Sequence, residues 1–393
     1  MLPVPSKRTE QIQMSAIRRM MNEAGRLRAL GHPVISWSVG EPDFNTPQAI
    51  KAATVQALES NYTHYSSNLG LLELRQAVAA KLEEELGLKY RPTGEILITN
   101  GAAEAISASI LAVLDEGDEV IIPTPAFISY ANCVHLAGGK VVEVPLSAED
   151  NFQLDAERLA AAVTERTKLI IINNPNNPSG AVYAPQTLAQ VANLAVEKNL
   201  WVLSDEIYRH FLYDNARFRS LASFPGMRER TLMVSGFAKT YAMTGWRLGI
   251  VACAETSFLP LLKVHQYLTT SAVTFTQVGL AQSLASPHTE RAVQTMLETF
   301  GARRNLLVRG LSQFSQLKVY PPQGAFYLLV DVSGTGLDAE RFCQRLLQEH
   351  YLAMVPLSGF GAHCQNLARI SYAASTPDLE EGLERMRTFL ERF

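Results

Sequence analysis

Ser235-Gly-Phe-Ala-Lys239-Thr-Tyr-Ala-Met-Thr-Gly245-Trp-Arg247-Leu-Gly249-Ile250 lies against two apolar, strand-like runs, Thr231 to Val234 and Leu248 to Ala252. One lysine sits there among small and aromatic neighbours, with an arginine eight positions on. A solvated surface loop rarely keeps its lysine in such company. A lysine in an apolar, partly enclosed place loses proton affinity, because burial disfavours its charged form. A neutral amine is what condensation with an aldehyde requires. An arginine close by suits a phosphate through its two-pronged guanidinium. The plainer reading is a lysine that snorkels out of a buried hairpin.

Outward from this segment, strands alternate with helices. Glu95 to Thr99 reads as a short buried strand, and Asn100-Gly101-Ala102-Ala103 leads into a helix over 103–114. Strand, small residues, helix start is an order that presents backbone N–H groups to a phosphate. Val120 to Ile122 is the next strand, ended by Pro123-Thr-Pro125-Ala-Phe127; Lys140 to Val144 and Lys168 to Ile172 follow. The last runs into the turn-dense Asn173-Asn-Pro-Asn-Asn177-Pro-Ser-Gly180. A helix over 186–198 and the strand Trp201 to Ser204 deliver Asp205-Glu-Ile-Tyr208. This alternation predicts an α/β fold, a mainly parallel sheet flanked by helices on both faces. Ligands of such sheets sit beyond the carboxyl ends of the strands. The tails carrying Gly101 to Ala103, Phe127, Asn177, Asp205, Tyr208, Ser235 and Lys239 are therefore expected to converge.

Before this region, residues 14–30 have helical periodicity, 33–39 are extended, and Gly40-Glu-Pro-Asp-Phe-Asn-Thr-Pro47 is rich in turn formers. Helices follow from Pro47 to about Ser60 and from Leu72 to Leu86, joined by the loop 62–70 that holds Tyr65. Past residue 285 the pattern changes to a long helix (289–313), strands within 317–331, a helix near 338–348, a loop at 356–367, a strand at 368–372 with Arg369, and a last helix from Pro377. The expected division is an N-terminal arm (1–45) packed with a small α+β domain (289–393), and a large cofactor-binding domain (46–288).

At 393 residues, two domains are the prior. Apolar residues at 47% and charged residues at 19% fit an ordinary globular enzyme, and a net charge of −3 leaves no electrostatic footprint for nucleic acid. Cys133, Cys253, Cys343 and Cys364 form no C-x-x-C pair and have no histidines at metal spacing, so no metal site is expected. They read as free thiols of a reducing compartment. No run approaches the ~18 apolar residues of a membrane span, and residues 1–11 lack the apolar stretch of a secretory signal. A cytoplasmic protein is the default.

A pyridine ring bearing an aldehyde and a phosphate, placed at those strand ends, would give each residue a task. Lys239 would bond the aldehyde, and Asp205 would keep a proton on the ring nitrogen, making the ring an electron sink. Asn177 and Tyr208 could donate to a phenolic oxygen, and Phe127 could stack on the ring. Arg247, Ser235 and the N–H groups of Ala102 and Ala103 could hold the phosphate. Singly, each has a plainer reading: Asp205 as a helix cap, Tyr208 as packing, Phe127 as core, Asn177 as a turn residue, Arg369 in a surface ion pair. Their joint order along the chain weighs more than any one of them.

That order resembles the class I and II pyridoxal-phosphate aminotransferases, of the aspartate-aminotransferase fold type. The resemblance rests on SVGEPDFNTP (38–47), THYSSNLGLLELRQAVA, TNGAAEA, NNPNNPSG, SDEIY, SGFAKTYAMTGWRLGI and ARISYAAS (368–375), nearly the whole chain. It implies pyridoxal 5'-phosphate as cofactor, with Lys239 as Schiff-base lysine and proton shuttle. It implies Asp205 at the pyridine nitrogen, Asn177 and Tyr208 at the phenolic oxygen, and Arg247, Ser235 and the Gly101 to Ala103 turn at the phosphate. Tyr65 is similar to the tyrosine that reaches the partner subunit's phosphate, which implies a homodimer. Arg369 resembles the clamp for the substrate α-carboxylate, helped by the backbone of Gly40. Many relatives carry serines one and three residues before the lysine; Ala238 and Gly236 stand there instead.

The implied reaction is ping-pong transamination between an L-amino acid and a 2-oxo acid. A C–S β-lyase, decarboxylase or synthase shares the ring chemistry and remains open at this point. An aminotransferase-like transcription regulator would need a basic helix-turn-helix domain, for which the residues before 40 are too few. A non-catalytic binding protein is disfavoured by the lysine and both arginines.

Overall fold

The computed structural model describes residues 3, 4, 6–12 and 14–393. Residues 1, 2, 5 and 13 of the expected N-terminal arm lie outside the described residues. The chain runs through α1 (Ala16–Ala29), β1 (Ile35–Ser36), α2 (Gln48–Glu59) and α3 (Leu72–Leu86). Next come β2 (Ile96–Thr99), α4 (Ala102–Val113), β3 (Glu119–Thr124), α5 (Ser129–Leu136), β4 (Lys140–Pro145), α6 (Ala156–Ala161) and β5 (Thr167–Asn173). Then come α7 (Pro185–Glu197), β6 (Trp201–Asp205), β7 (Thr231–Gly236) and β8 (Gly249–Ala252).

β2 to β8 form one seven-stranded sheet in the order β2-β8-β7-β6-β5-β3-β4. Its pairs are parallel except those of β8, which runs antiparallel to β2 and β7. The strands are continuous apolar runs because both faces are covered. Leu169, Ile171, Leu203, Leu232, Val234 and Val251 pack with residues of α4 and α5 on one face. Ile170, Ile172 and Val202 meet Leu188, Val191 and Ala192 of α7 on the other, and Ile98, Met233 and Ile250 meet Leu74, Val78 and Leu82 of α3. The register pairs Asn173 with Asp205 and Asp205 with Val234. The carboxyl ends therefore finish level, and their tails open on one crevice.

The remaining chain is α8 (Glu255–Leu268), α9 (Thr274–Ser283), α10 (Pro287–Leu311), β9 (Lys318–Tyr320), β10 (Tyr327–Asp331), α11 (Ala339–His350), β11 (Leu352–Ala353), β12 (Val355–Pro356), β13 (Leu367–Ser371) and α12 (Thr376–Leu390). β12, β13, β10 and β9 make an antiparallel sheet. Residues of α1, α10, α11 and α12 share one core with β10 and β13. The N-terminal segment enters this second unit directly: Ile35 pairs with Leu352 and Ser36 with Ala353. The Trp37 N–H donates to the Ala353 carbonyl at 2.8 Å, and the Trp37 carbonyl accepts from the Ser371 N–H at 2.8 Å. Outside the sheets, α5, α6, α8 and α9 are helices that no pattern in the sequence announces. Pro260 lies inside α8, and α6 has only 6 residues, so neither offers a clean period. Among the described residues no helix is long and apolar enough to cross a membrane.

Candidate active site

Lys239 stands in the turn after β7, where Ala242 and Arg247 take left-handed backbone angles (φ 47° and 55°) to bring the chain back into β8. Its Nζ donates to the Gly40 carbonyl at 2.6 Å. The side chain still reaches solvent, but protein surrounds the amine. That burial, more than any neighbour, lowers its pKa to about 8; Arg369 and Arg247 push the same way, against Glu41 and Asp205. Arg247, Arg369, Asp205 and Lys239 therefore share one electrostatic neighbourhood.

Asp205 ends β6 and is buried. One carboxylate oxygen accepts from the Tyr130 hydroxyl at 2.6 Å and the other from the Ile207 N–H at 3.2 Å. Burial raises its pKa to about 6, and those bonds pull the other way. Phe127 meets Tyr130 edge to face at 5.7 Å, so the aromatic pair reaches from the crevice wall to the carboxylate.

Arg369 is 1% exposed. Nη1 donates to the Asn177 side-chain oxygen at 2.9 Å, Nη2 to the Ser38 carbonyl at 3.0 Å, and Nε has no partner among the described residues. A guanidinium with an N–H to spare, buried against the Ser38 carbonyl, can take a carboxylate. Its carbon lies 4.4 Å over the Tyr327 ring, whose hydroxyl is 2.9 Å from that of Tyr208.

The fourth part is the start of α4. Its first turn, Ala102 and Ala103, follows Gly101, which supplies no side-chain cap. The first-turn N–H groups of a helix have no partners within it. A Cβ on Gly101 would lie 2.6 Å from Arg247 Nη2, so helix start and guanidinium meet only because this residue is glycine. Gly249 serves the same approach from below: a Cβ there would lie 2.6 Å from the Ala102 nitrogen.

One expected residue stands elsewhere. Ser235 was expected among the phosphate groups, but strand alternation turns it to the opposite side of β7 from Val234. It is buried there, its Oγ accepting from Arg209 Nη1 at 2.7 Å, and Arg209 also pairs with Glu85 at 3.0 Å. Tyr65 projects from its loop, 87% exposed. Among the described residues no group of three or more His, Cys, Asp or Glu could hold a metal.

A family model for aminotransferase class I and II matches residues 32–386. The chain belongs to that family. It is 43% identical to an aspartate aminotransferase of Pyrococcus abyssi, over 98% of both chains. It is 41% identical to an aromatic-amino-acid aminotransferase of Thermococcus litoralis, again over 98% of both. The structure of Thermus thermophilus aspartate aminotransferase with maleate superposes with a TM-score of 0.94 at 39% identity, covering 98% of this chain and 100% of that one. This aminotransferase accordingly has the mixed α/β fold read from its strand–helix alternation, and it transfers amino groups between amino acids and 2-oxo acids.

Nothing in the sequence points to Tyr327 or places Tyr130 against Asp205. Neither belongs to a spacing pattern; Tyr327 meets Tyr208 across 119 positions. The one local sign was Gly40, whose missing Cβ makes room for the Tyr327 hydroxyl.

Proposed function

We propose that this aminotransferase works with pyridoxal 5'-phosphate attached at Lys239 and runs two half-reactions in ping-pong order. The donor set fits that group. The Gly101 cradle, open to an anion between Arg247 and the N–H groups of Ala102 and Ala103, suits the phosphate. Asp205 suits a protonated ring nitrogen, Asn177 and Tyr208 a phenolic oxygen, and Phe127 a ring face. When bound, the cofactor supplies an aldehyde carbon that takes up the amino group and a ring that spreads negative charge.

The chain's own residues do the rest. Arg369, with the Gly40 backbone, binds the α-carboxylate and so fixes which α-bond faces Lys239. The Lys239 amine would take the proton from the substrate α-carbon and deliver it to the cofactor's aldehyde carbon, base and then acid, a role that needs a pKa close to working pH. Asp205, whose charge the Tyr130 and Ile207 bonds support against the cost of burial, would pair with the protonated ring nitrogen. One observation carries the reading: an amine whose pKa burial brings down to about 8, flanked by two arginines and resting on a backbone carbonyl.

Residues 1–45 and 289–393 form the small domain and 46–288 the large one, supported by the pairing of β1 with β11. Tyr65 serves the phosphate of a second copy in a homodimer. A cytoplasmic setting is supported by four cysteines that form no disulfide. The wall beside Arg369 includes the Tyr327 and Phe360 rings, the latter 5.8 Å from its guanidinium, which supports amino acids with apolar or aromatic side chains.

The test is Lys239→Ala. Wild-type protein given pyridoxal 5'-phosphate should turn yellow, and borohydride followed by peptide mapping should mark Lys239. The variant should stay unmarked and lose transaminase turnover by at least about 10³-fold. Full turnover by Lys239→Ala, or a label on another lysine, would overturn the proposal.

A further inference from the structure

Tyr327 opens β10 opposite Ser371 of β13, two positions along the ladder from the pair Leu329 and Arg369. It is 1% exposed. Its ring is sandwiched by function on two sides. The Arg369 guanidinium lies 4.4 Å over its face, and the Tyr208 ring meets it edge-on at 5.6 Å and 83°. Its hydroxyl reaches the Tyr208 hydroxyl at 2.9 Å, the hydrogen-bond partner it has among the described residues. The fit is specific: any Cβ at position 40 would strike the Tyr327 oxygen, so Gly40 is shaped around this phenol.

A phenol has one proton to give. Where two phenols face each other away from water, one donates and the other keeps its proton free for a third group. A buried O–H without an acceptor is costly, and Tyr208 is the acceptor in reach of Tyr327. If Tyr208 were the donor, it would have nothing to offer a cofactor oxygen. With Tyr327 as the donor, the Tyr208 proton points away from the pair, and the bond polarises Tyr208 into a stronger donor. The ring face, meanwhile, carries the negative side of an aromatic quadrupole, which attracts the guanidinium and limits its swing.

We propose that Tyr327 is a positioning residue with two separable jobs: its hydroxyl aims the Tyr208 proton at the cofactor's phenolic oxygen, and its ring steadies Arg369 for the substrate carboxylate. The proposal rests on the cofactor reading given above. Tyr327 thereby joins the chemistry of the ring to the recognition of the substrate through one side chain.

The two jobs come apart in the holoenzyme. Tyr327→Phe keeps the ring and removes the hydroxyl; Tyr327→Leu removes both. In resting holoenzyme, the pH midpoint of the Lys239-bound chromophore's absorbance should rise by roughly half to one unit in Tyr327→Phe, because the phenolic oxygen has lost part of its donated bond. KM for amino acids should stay within about twofold of wild type in that variant and rise roughly tenfold in Tyr327→Leu. Adding Tyr327→Phe to Tyr208→Phe should move the midpoint no further. A midpoint at the wild-type value in Tyr327→Phe, an extra shift in the double variant, or equal KM changes in the two single variants would overturn the proposal. Should Tyr327→Leu fail to fold, the spectral comparison of the two phenylalanine variants still decides the hydroxyl's role. If wild-type protein forms no chromophore at Lys239, the cofactor reading fails instead, which keeps the two failures distinct.

Discussion

Asp205 and Glu206 are adjacent carboxylates with opposite fates. Alternation along the strand end sends Asp205 toward Lys239 and Glu206 to the other side. Glu206 is fully buried. One of its oxygens accepts from Ser204 at 2.8 Å and from Ser220 at 2.6 Å, and the other has no partner among the described residues. Burial raises its pKa to about 7, only partly opposed by those two serines. An acid that holds its proton more tightly when folded makes the fold less stable as pH rises. The loss starts near the unfolded value of 4.5, grows through about 7, and is complete above it. The gap corresponds to about 3 kcal/mol as an order of magnitude. Glu206→Gln keeps an oxygen for both serines and carries no charge. Its denaturant midpoint should match wild type near pH 5 and exceed it near pH 8. An equal offset at both pH values would show that Glu206 does not titrate in this way.

At the scale of elements, α4 is positioned by what its first residues lack. Gly101 has φ +80°, a backbone region that side chains rarely enter, and its missing Cβ leaves room for Arg247. Gly101→Ala should cost about 1–3 kcal/mol of stability and push the guanidinium off the helix start. Affinity for pyridoxal 5'-phosphate should then fall roughly tenfold, while affinity for pyridoxal, which has no phosphate, should not change. Equal losses for the two vitamers, read by equilibrium dialysis, would mean that the cradle does not act on the phosphate.

This element was legible in the sequence, and the reason is physical. A buried parallel strand is an unbroken apolar run, and the small residues after Thr99 stand where backbone must approach a ligand. Ile-Leu-Ile, Val-Ile-Ile and Leu-Ile-Ile-Ile could be little else. Ser235 was not legible, because closeness to Lys239 in sequence says nothing about which face of β7 a side chain takes. Only the pairing of β7 with its neighbours puts Ser235 beside Arg209. The Tyr208 and Tyr327 contact was equally hidden, since it depends on how the second sheet docks on the first.

For the whole molecule, the question is what covers the surface around Tyr65. Tyr65 and Tyr267 are 87% and 88% exposed, and Leu268 is 50% exposed. They belong to neighbouring segments: the Asn68 side chain donates to the Thr270 carbonyl at 2.7 Å, and the Thr274 hydroxyl to the His64 carbonyl at 2.7 Å. Large rings held outward by an ordered hydrogen-bonded frame are expected at an interface rather than in water. In the homodimer proposed above, a two-fold axis would give each copy the other's Tyr65. Sedimentation should therefore report a dimer, and mixing two damaged chains should show who supplies the tyrosine. Lys239→Ala lacks the amine, and Tyr65→Ala lacks the phenol. In a hybrid, one site pairs the lysine of the Tyr65→Ala chain with the tyrosine of the Lys239→Ala chain. Random assortment of equal amounts makes half the dimers hybrid, each with one intact site, so co-refolding should restore about a quarter of wild-type activity at limiting cofactor. If Tyr65 served its own chain, every hybrid site would lack either the amine or the phenol, and activity would stay at the mean of the two damaged parents.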